Sequence, residues 1–365
     1  MRDVIVVGGG VIGLSIAHAV AADGKSVLVL DPGLPADASS WAAAGMLAPQ
    51  SEAHRNEPLF QLCAASLRIY RIWACDLHEK SGVDPEYAEP GLICVASSED
   101  SLEVLKRRMN WQRAAGFDSE LLAPDDIQKM EPHLTLPVAG GVYMPGEHQV
   151  TPRRLVEALR VACKAGEIEI RNGSRVRRLL RKADRVYGVQ TDSESISAET
   201  VVIASGARTS EIEGLCPRLP VIPRKGQILS LSTPSPVFQR LIRWEHAYLV
   251  QRGGGELVVG ATNEDAGFDR SLTPAGVGGL LNQVQQLSSC TQKLPIREMW
   301  TGLRPATPDG LPVLDRAAEG LLVATGHYRN GILLAPITAS IVSALVSNRA
   351  SPVPLEPFSI RRFEV

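Results

Sequence analysis

Gly8, Gly10 and Gly13 follow the apolar run Val4–Val7 and open the apolar, alanine-rich stretch Leu14–Ala22. Glycine at this spacing lets a chain turn tightly from strand into helix, brings backbone close to a pyrophosphate, and allows close helix–strand packing. The start of the helix, with Val11 and Ile12 in its first turn, offers unpaired N–H groups to phosphate charge. A second apolar run, Val27–Leu30, ends on Asp31, an acid suited to accept hydrogen bonds from ribose hydroxyls. Strand, glycine turn, helix, strand and acid fall within about 30 residues, the length of one dinucleotide-binding βαβ unit.

Three further segments could line the same ligand. Ser39-Ser40-Trp41-Ala42-Ala43-Ala44-Gly45-Met46-Leu47 is a run of small residues that can lie close against something flat or long. The β-like run Thr200–Ala204 passes into Ser205-Gly206, and the run Leu321–Ala324 passes into Gly326-His327-Tyr328-Arg329-Asn330-Gly331 before a closing apolar helix that includes Ile332. A nicotinamide enzyme needs one contiguous nucleotide domain, whereas FAD lies extended and requires pieces distant in sequence. The closing helix adds a chemical reason. Its N-terminus, near Asn330 and Gly331, offers partial positive charge to the negative charge that develops on the N1–C2=O edge of a reduced flavin. FAD is therefore the expected cofactor, and Val176, in the run Arg175–Leu180, joins these segments as a candidate wall residue.

The elements that must position these residues alternate in type. Helical patterns cover 57–80, 99–116 and 151–165, the last opening on Thr151-Pro152, a capping residue followed by proline at the first helical position. Short strand-like runs follow at 168–170, 175–180, 186–190 and 200–204, and from Gln227 to Ala261 the pattern is all β. The predicted fold is α/β with an α+β insert: a Rossmann-like FAD-binding domain made of residues 1–80, 145–215 and 300–365, interleaved with a β-sheet-rich substrate domain of 81–144 and 216–299.

Composition bounds the function. The chain has 365 residues, 44% hydrophobic and 21% charged, ordinary globular values, and its net charge of −2 leaves no electrostatic footprint for nucleic acid. The basic stretch Arg171–Arg185 reads as solvated strand edges. Cys63, Cys75, Cys94, Cys163, Cys216 and Cys290 show neither a paired spacing nor histidine partners. They are expected to be reduced core residues, with no metal site. Asp3 and the triple glycine cut the N-terminal apolar run too short for a signal peptide. The stretch Gly331–Val346, broken by Pro336, Thr338, Ser340 and Ser343, reads as a buried helix and not a membrane span. A cytoplasmic location is expected.

Trp300-Thr-Gly-Leu-Arg304-Pro-Ala-Thr-Pro-Asp-Gly-Leu-Pro, Gly326-His-Tyr-Arg329-Asn-Gly-Ile-Leu-Leu-Ala-Pro, Ala42-Ala-Ala-Gly-Met-Leu and Tyr248-Leu-Val resemble the D-amino-acid oxidase superfamily, most closely the glycine oxidases of thiamine biosynthesis. The resemblance runs over essentially the whole chain. It implies a deaminating flavoenzyme with non-covalent FAD that yields an imino acid and hydrogen peroxide, using molecular oxygen, and commonly a homotetramer. It also implies that Arg304 holds the substrate carboxylate, that Tyr248 assists, and that Arg329 lies close by. Three positions depart from the pattern: Arg208 where tryptophan is usual, Gln251 where proline is usual, and Asn263 where an apolar residue is expected. Asn263 either lines the pocket, favouring a polar substrate, or lies on the surface.

The chemistry supports Arg304 independently. Flavin oxidation of an amine needs a Cα–H aimed at flavin N5 at roughly 3–3.5 Å, and most of the rate gain is positioning. An arginine fork grips a carboxylate through two hydrogen bonds and so fixes orientation as well as place. Arg304 sits in a predicted strand before Pro305, which stiffens the backbone beneath it. Met46, a flexible filler, would narrow the space over the flavin. No base is required if the amine binds neutral. His246 would share a strand face with Tyr248, a placement open to a pocket-lining role, and reads best as a hydrogen-bonded structural histidine. Two other functions stay open at this point: a flavin dehydrogenase passing electrons to a quinone or protein, and an FAD-binding module without catalysis.

Overall fold

The computed structural model describes residues 2–33, 39–53, 55–215 and 217–364. Its first sheet has eight strands. Six run in the order Val313–Ala318, Leu321–Thr325, Ser195–Ile203, Arg2–Val7, Val27–Asp31 and Glu169–Asn172, with Arg185–Thr191 and Val176–Lys182 continuing from Ser195–Ile203. Arg2–Val7 pairs in parallel with both neighbours, Val7 opposite Ile203 on one side and Leu30 on the other. Three parallel strands thus end level, delivering Gly8, Asp31 and Ala204 to one edge. The crevice beyond the carboxyl ends of such strands is where open α/β sheets bind ligands.

Helices Val11–Ala22, Pro58–Ser81, Pro152–Ala165 and Gly331–Val346 cover one face of this sheet. The closing helix holds Pro336 in its interior, where proline removes the N–H that would reach Ile332 O. The fully buried Tyr70 hydroxyl donates to Ile332 O instead, at 3.1 Å, and Ser66 Oγ donates to Leu333 O at 2.6 Å. The orphaned carbonyl is met by a neighbouring helix, so the helix continues through its proline.

The second sheet also has eight strands, in the order Ile296–Ala306, Ile222–Ser232, Glu256–Gly260, Ala247–Arg252, Leu241–Trp244, Leu92–Ala96, Gly140–Met144 and Glu120–Leu122. All neighbours are antiparallel except Leu241–Trp244 with Leu92–Ala96. Side chains alternate between its faces: Leu229, Leu249 and Val259 meet Leu280, Val284 and Leu287 of helix Pro274–Leu287, while Ile228, Tyr248 and Val258 meet Ala42, Ala44 and Ala48. The small-residue segment therefore lies between the two sheets.

Local expectations are corrected at several points. Thr151 occupies the cap position of Pro152–Ala165, but its hydroxyl donates to Glu86 Oε2 at 2.6 Å instead of capping. Cys63, Cys94 and Cys163 are free and buried as expected, whereas Cys75 and Cys290 are exposed; Cys216 lies outside the described residues. The arginines of 171–185 are not merely solvated, since Arg171, Arg175, Arg177 and Arg185 pair with Glu169, Glu211, Asp192 and Glu319. No helix among the described residues is long and apolar enough to cross a membrane.

Candidate active site

One elongated cavity runs from Asp31 and Val176 at one end to Tyr248, Arg304 and Arg329 at the other. At its first end Gly8 has φ +114, and a Cβ there would overlap Ala204 O; a Cβ on Gly13 would overlap Gly8 O. Only glycine permits this strand–helix contact. Gly10 precedes the helix with no side-chain cap of its own, and Ser40 Oγ accepts from Val11 N–H at 3.0 Å. Asp31 closes this end, its carboxylate accepting from Gly9 N–H at 2.5 Å and Gly33 N–H at 2.7 Å. Gly10, Val11, Ile12, Ser39, Ser40, Ala43, Ala44, Gly45, Met46, Ala204, Ser205 and Gly206 all contribute to the wall. Gly13 lies behind it, acting through packing. A backbone this close, a helix start whose own N-cap residue supplies no side chain, and a backbone-held carboxylate fit the pyrophosphate and ribose of a dinucleotide.

The middle of the cavity is set by contacts between the sheets. Trp300 Nε1 donates to Ala42 O at 2.9 Å, Ser39 Oγ donates to Leu303 O, and the buried Arg252 guanidinium donates to Ala43 O at 3.1 Å and Ala44 O at 2.5 Å. Gly45, at φ +97, lies where a Cβ would overlap Val150 O. These bonds hold the 39–46 segment against the sheet whose strand Ile296–Ala306 carries Arg304.

At the other end Arg304 lies flat on Gly226 of the neighbouring strand, where an added Cβ would stand 2.5 Å from both terminal nitrogens. Its Nη1 donates to Thr262 O at 3.0 Å. Tyr248 lies over Gly260 in the same manner, and a Cβ there would overlap the ring. Arg329 follows Tyr328, whose φ is +46 and whose hydroxyl donates to Asn263 Oδ1 at 3.2 Å. His327 is buried with Nε2 3.1 Å from Thr338 Oγ1, and burial pushes its pKa down to about 3, keeping the ring neutral. Asn330, Gly331 and Ile332 complete this wall, and the closing helix begins at Asn330 without a side-chain cap.

Three residues of this site escaped sequence reading. Glu52 ion-pairs with Arg243 at 3.1 Å and Arg329 at 3.2 Å. Burial pushes its pKa up, but Arg329 and Arg243 outweigh that and hold it below the usual carboxylate range. In turn Glu52 raises the pKa of Arg329. Glu147, fully buried, accepts from the N–H groups of Gln50 at 2.9 Å and Ser51 at 3.3 Å and so anchors the turn Pro49–Glu52; burial pushes its pKa up to about 8. No local spacing marks any of the three. His246 is corrected in its placement: it stands exposed in the turn between Leu241–Trp244 and Ala247–Arg252, not on a strand face, and it lines a second cavity. Asn263 is exposed and lines that same second cavity. Arg208 pairs with Glu211 at 3.1 Å with its guanidinium 5.0 Å from the Phe268 ring centroid, and Gln251 accepts from Val237 N–H at 2.9 Å.

Residues 3–345 match the family described as FAD dependent oxidoreductase, and the chain belongs to that family. FAD is its cofactor, as the family's description states. It is 38% identical over 368 residues to the bifunctional protein ThiO/ThiG of Trichormus variabilis, an alignment covering 100% of this chain and 55% of that protein. The chain thus spans about half the length of the bifunctional relatives it matches. It is 35% identical over 367 residues to the glycine oxidase of Geobacillus kaustophilus, covering 99% and 97% of the two chains. The crystal structure of glycine oxidase from Geobacillus kaustophilus superposes with a TM-score of 0.95 at 35% identity, covering 99% of this chain and 98% of that one.

Proposed function

We propose that the protein oxidatively deaminates glycine and other small amines or D-amino acids to the imino acid, with release of hydrogen peroxide. The observation that carries this reading is the Arg304 guanidinium held flat on Gly226, in the wall of the same cavity as the glycine turn and Asp31. Bound FAD supplies the hydride acceptor. Arg304 takes the substrate carboxylate in a two-bond grip, which fixes where the Cα–H points. Tyr248 adds a hydroxyl beside it, and Arg329, its charge shared with Glu52, adds positive potential. Met46 limits the space above the reacting carbon. The uncapped helix start at Asn330 and Gly331 supplies partial positive charge at this end of the cavity. A neutral amine needs no protein base, and His327, neutral and bonded to Thr338, serves as a wall.

The likeness to ThiO/ThiG supports a role in supplying iminoglycine for the thiazole of thiamine, and the family resemblance supports a cytoplasmic homotetramer with oxygen as acceptor. The FAD is held non-covalently: no cysteine follows Cys290, so the Arg304 and Gly326 segments offer no thiol. Flavin should leave with acid, and its retention on precipitated protein would contradict this. Anaerobic bleaching by glycine, N-methylglycine and short D-amino acids, followed by peroxide on admitting oxygen, tests the reaction. Bleaching with dye reduction but no peroxide would make the enzyme a dehydrogenase, and no bleaching by any of them would refute the reading.

A further inference from the structure

Beyond Arg304 and Arg329 lies a second compartment of about 430 Å³, with Arg243, His246 and Asn263 on one side and the small residues Ala275, Gly276 and Gly279 of helix Pro274–Leu287 on the other. Arg304 and Arg329 belong to the walls of both compartments, so a substrate gripped at Arg304 stands at the opening between them. The charges are unevenly divided. Three arginines converge here, whereas the single carboxylate paired with them, Glu52, lies on the FAD side, and no acidic residue among the described ones lines the second compartment.

Glu52 remains ionised and accounts for one of the three positive charges, because Arg329 and Arg243 hold its pKa low against the effect of burial. The α-carboxylate of an amino acid accounts for a second. One positive charge is left over: Arg243 and Arg329 share the single carboxylate of Glu52, at 3.1 and 3.2 Å, and of the three arginines only Arg243 lines the second compartment alone. Two partly buried guanidinium groups that share one carboxylate are incompletely neutralised, which is costly unless water or an anion meets the remaining charge. Asn263 adds to this, since the Tyr328 hydroxyl donates to its Oδ1 and leaves the amide NH2 as the donor end. The small face of the helix leaves room for a substituent.

Building on the proposed oxidase activity, we infer that this compartment receives a second carboxylate on the substrate, so that among substituted amino acids of one size those bearing a second acid are preferred. Arg243 is the specificity-determining residue and Asn263 an additional donor. Glycine leaves the compartment to water, so the inference does not depend on its rate.

The test compares acids with their near-isosteric amides in the holoenzyme: D-aspartate against D-asparagine, and N-(carboxymethyl)glycine against its monoamide. At low salt the acid should exceed the amide in kcat/KM by at least about tenfold, a difference expected from one close charge pair. Arg243→Gln should bring the ratio to near unity, and Arg243→Lys should keep most of it. Because the ratio is taken within each variant, a general loss of activity cancels. Equal rates for acid and amide in the parent enzyme, or a ratio unchanged by Arg243→Gln, would overturn the inference. Binding supplies a readout free of turnover: malonate should perturb the flavin absorption at lower concentration than malonamate, and Arg243→Gln should remove the difference. If no amino acid reduces the flavin, the oxidase proposal fails while this binding comparison still decides the compartment's role; equal binding of malonate and malonamate refutes it.

Discussion

Gly226→Ala separates position from stability at the proposed carboxylate grip of Arg304. Gly226 has no positive φ, so alanine does not strain the backbone there. Its Cβ, however, would stand 2.5 Å from Arg304 Nη1 and Nη2, whereas ordinary contact begins at 3.4 Å, so the guanidinium must move by about 0.9 Å. The far end of a long side chain moves at small energetic cost, so the variant should fold, bind FAD and melt within about 2–4 °C of the parent, the equivalent of 1 kcal/mol or less. Catalysis should not escape so lightly. A misplacement near 1 Å can cost on the order of 100-fold, about 2.7 kcal/mol in transition-state binding. Steady-state oxidation of glycine with peroxide detection, beside a thermal melt of the holoenzyme, measures both quantities. A kcat/KM within threefold of the parent would refute the argument that Gly226 sets the position of Arg304. A large drop in melting temperature would show instead that the loss is structural.

Arg304→Ala should retain FAD and lose roughly 2–5 kcal/mol of transition-state binding toward amino acids, with Arg304→Lys recovering only part because an ammonium lacks the fork; near-normal kcat/KM in the alanine variant would move the carboxylate site elsewhere. Tyr70→Phe leaves Ile332 O beside Pro336 without its donor and should cost about 1–3 kcal/mol in denaturant unfolding, and an unchanged midpoint would show that the carbonyl finds another partner. Glu147 has its pKa pushed up to about 8, so the folded state holds a proton that the unfolded chain releases near its ordinary pKa of 4.5. Stability should therefore fall as pH rises from about 4.5 to 8, by at most a few kcal/mol, and Glu147→Gln should flatten that slope. Parallel pH profiles for parent and variant would refute it.

The glycine turn and Asp31 were legible in the sequence because their geometry is local: a strand, a turn that only glycine can make, a helix and an acid stand within one short unit, and each residue type is dictated by its own backbone neighbourhood. The closing helix was legible as an apolar stretch, but not the reason it survives Pro336, since the hydroxyl that meets Ile332 O comes from Tyr70 in a helix 262 positions away. Thr151 shows the opposite failure, a local capping signal overridden when Glu86 took its hydroxyl. The motif around Arg304 marked it for a carboxylate, yet its resting place depends on Gly226 in a partner strand, and sheet register alone brings the two together. Glu52 and Arg243, 191 positions apart, leave no spacing to read. Local backbone preference can be written into a few consecutive residues, whereas an ion pair between distant segments exists only once the chain has packed, and that packing decided the charge around Arg304 and Arg329.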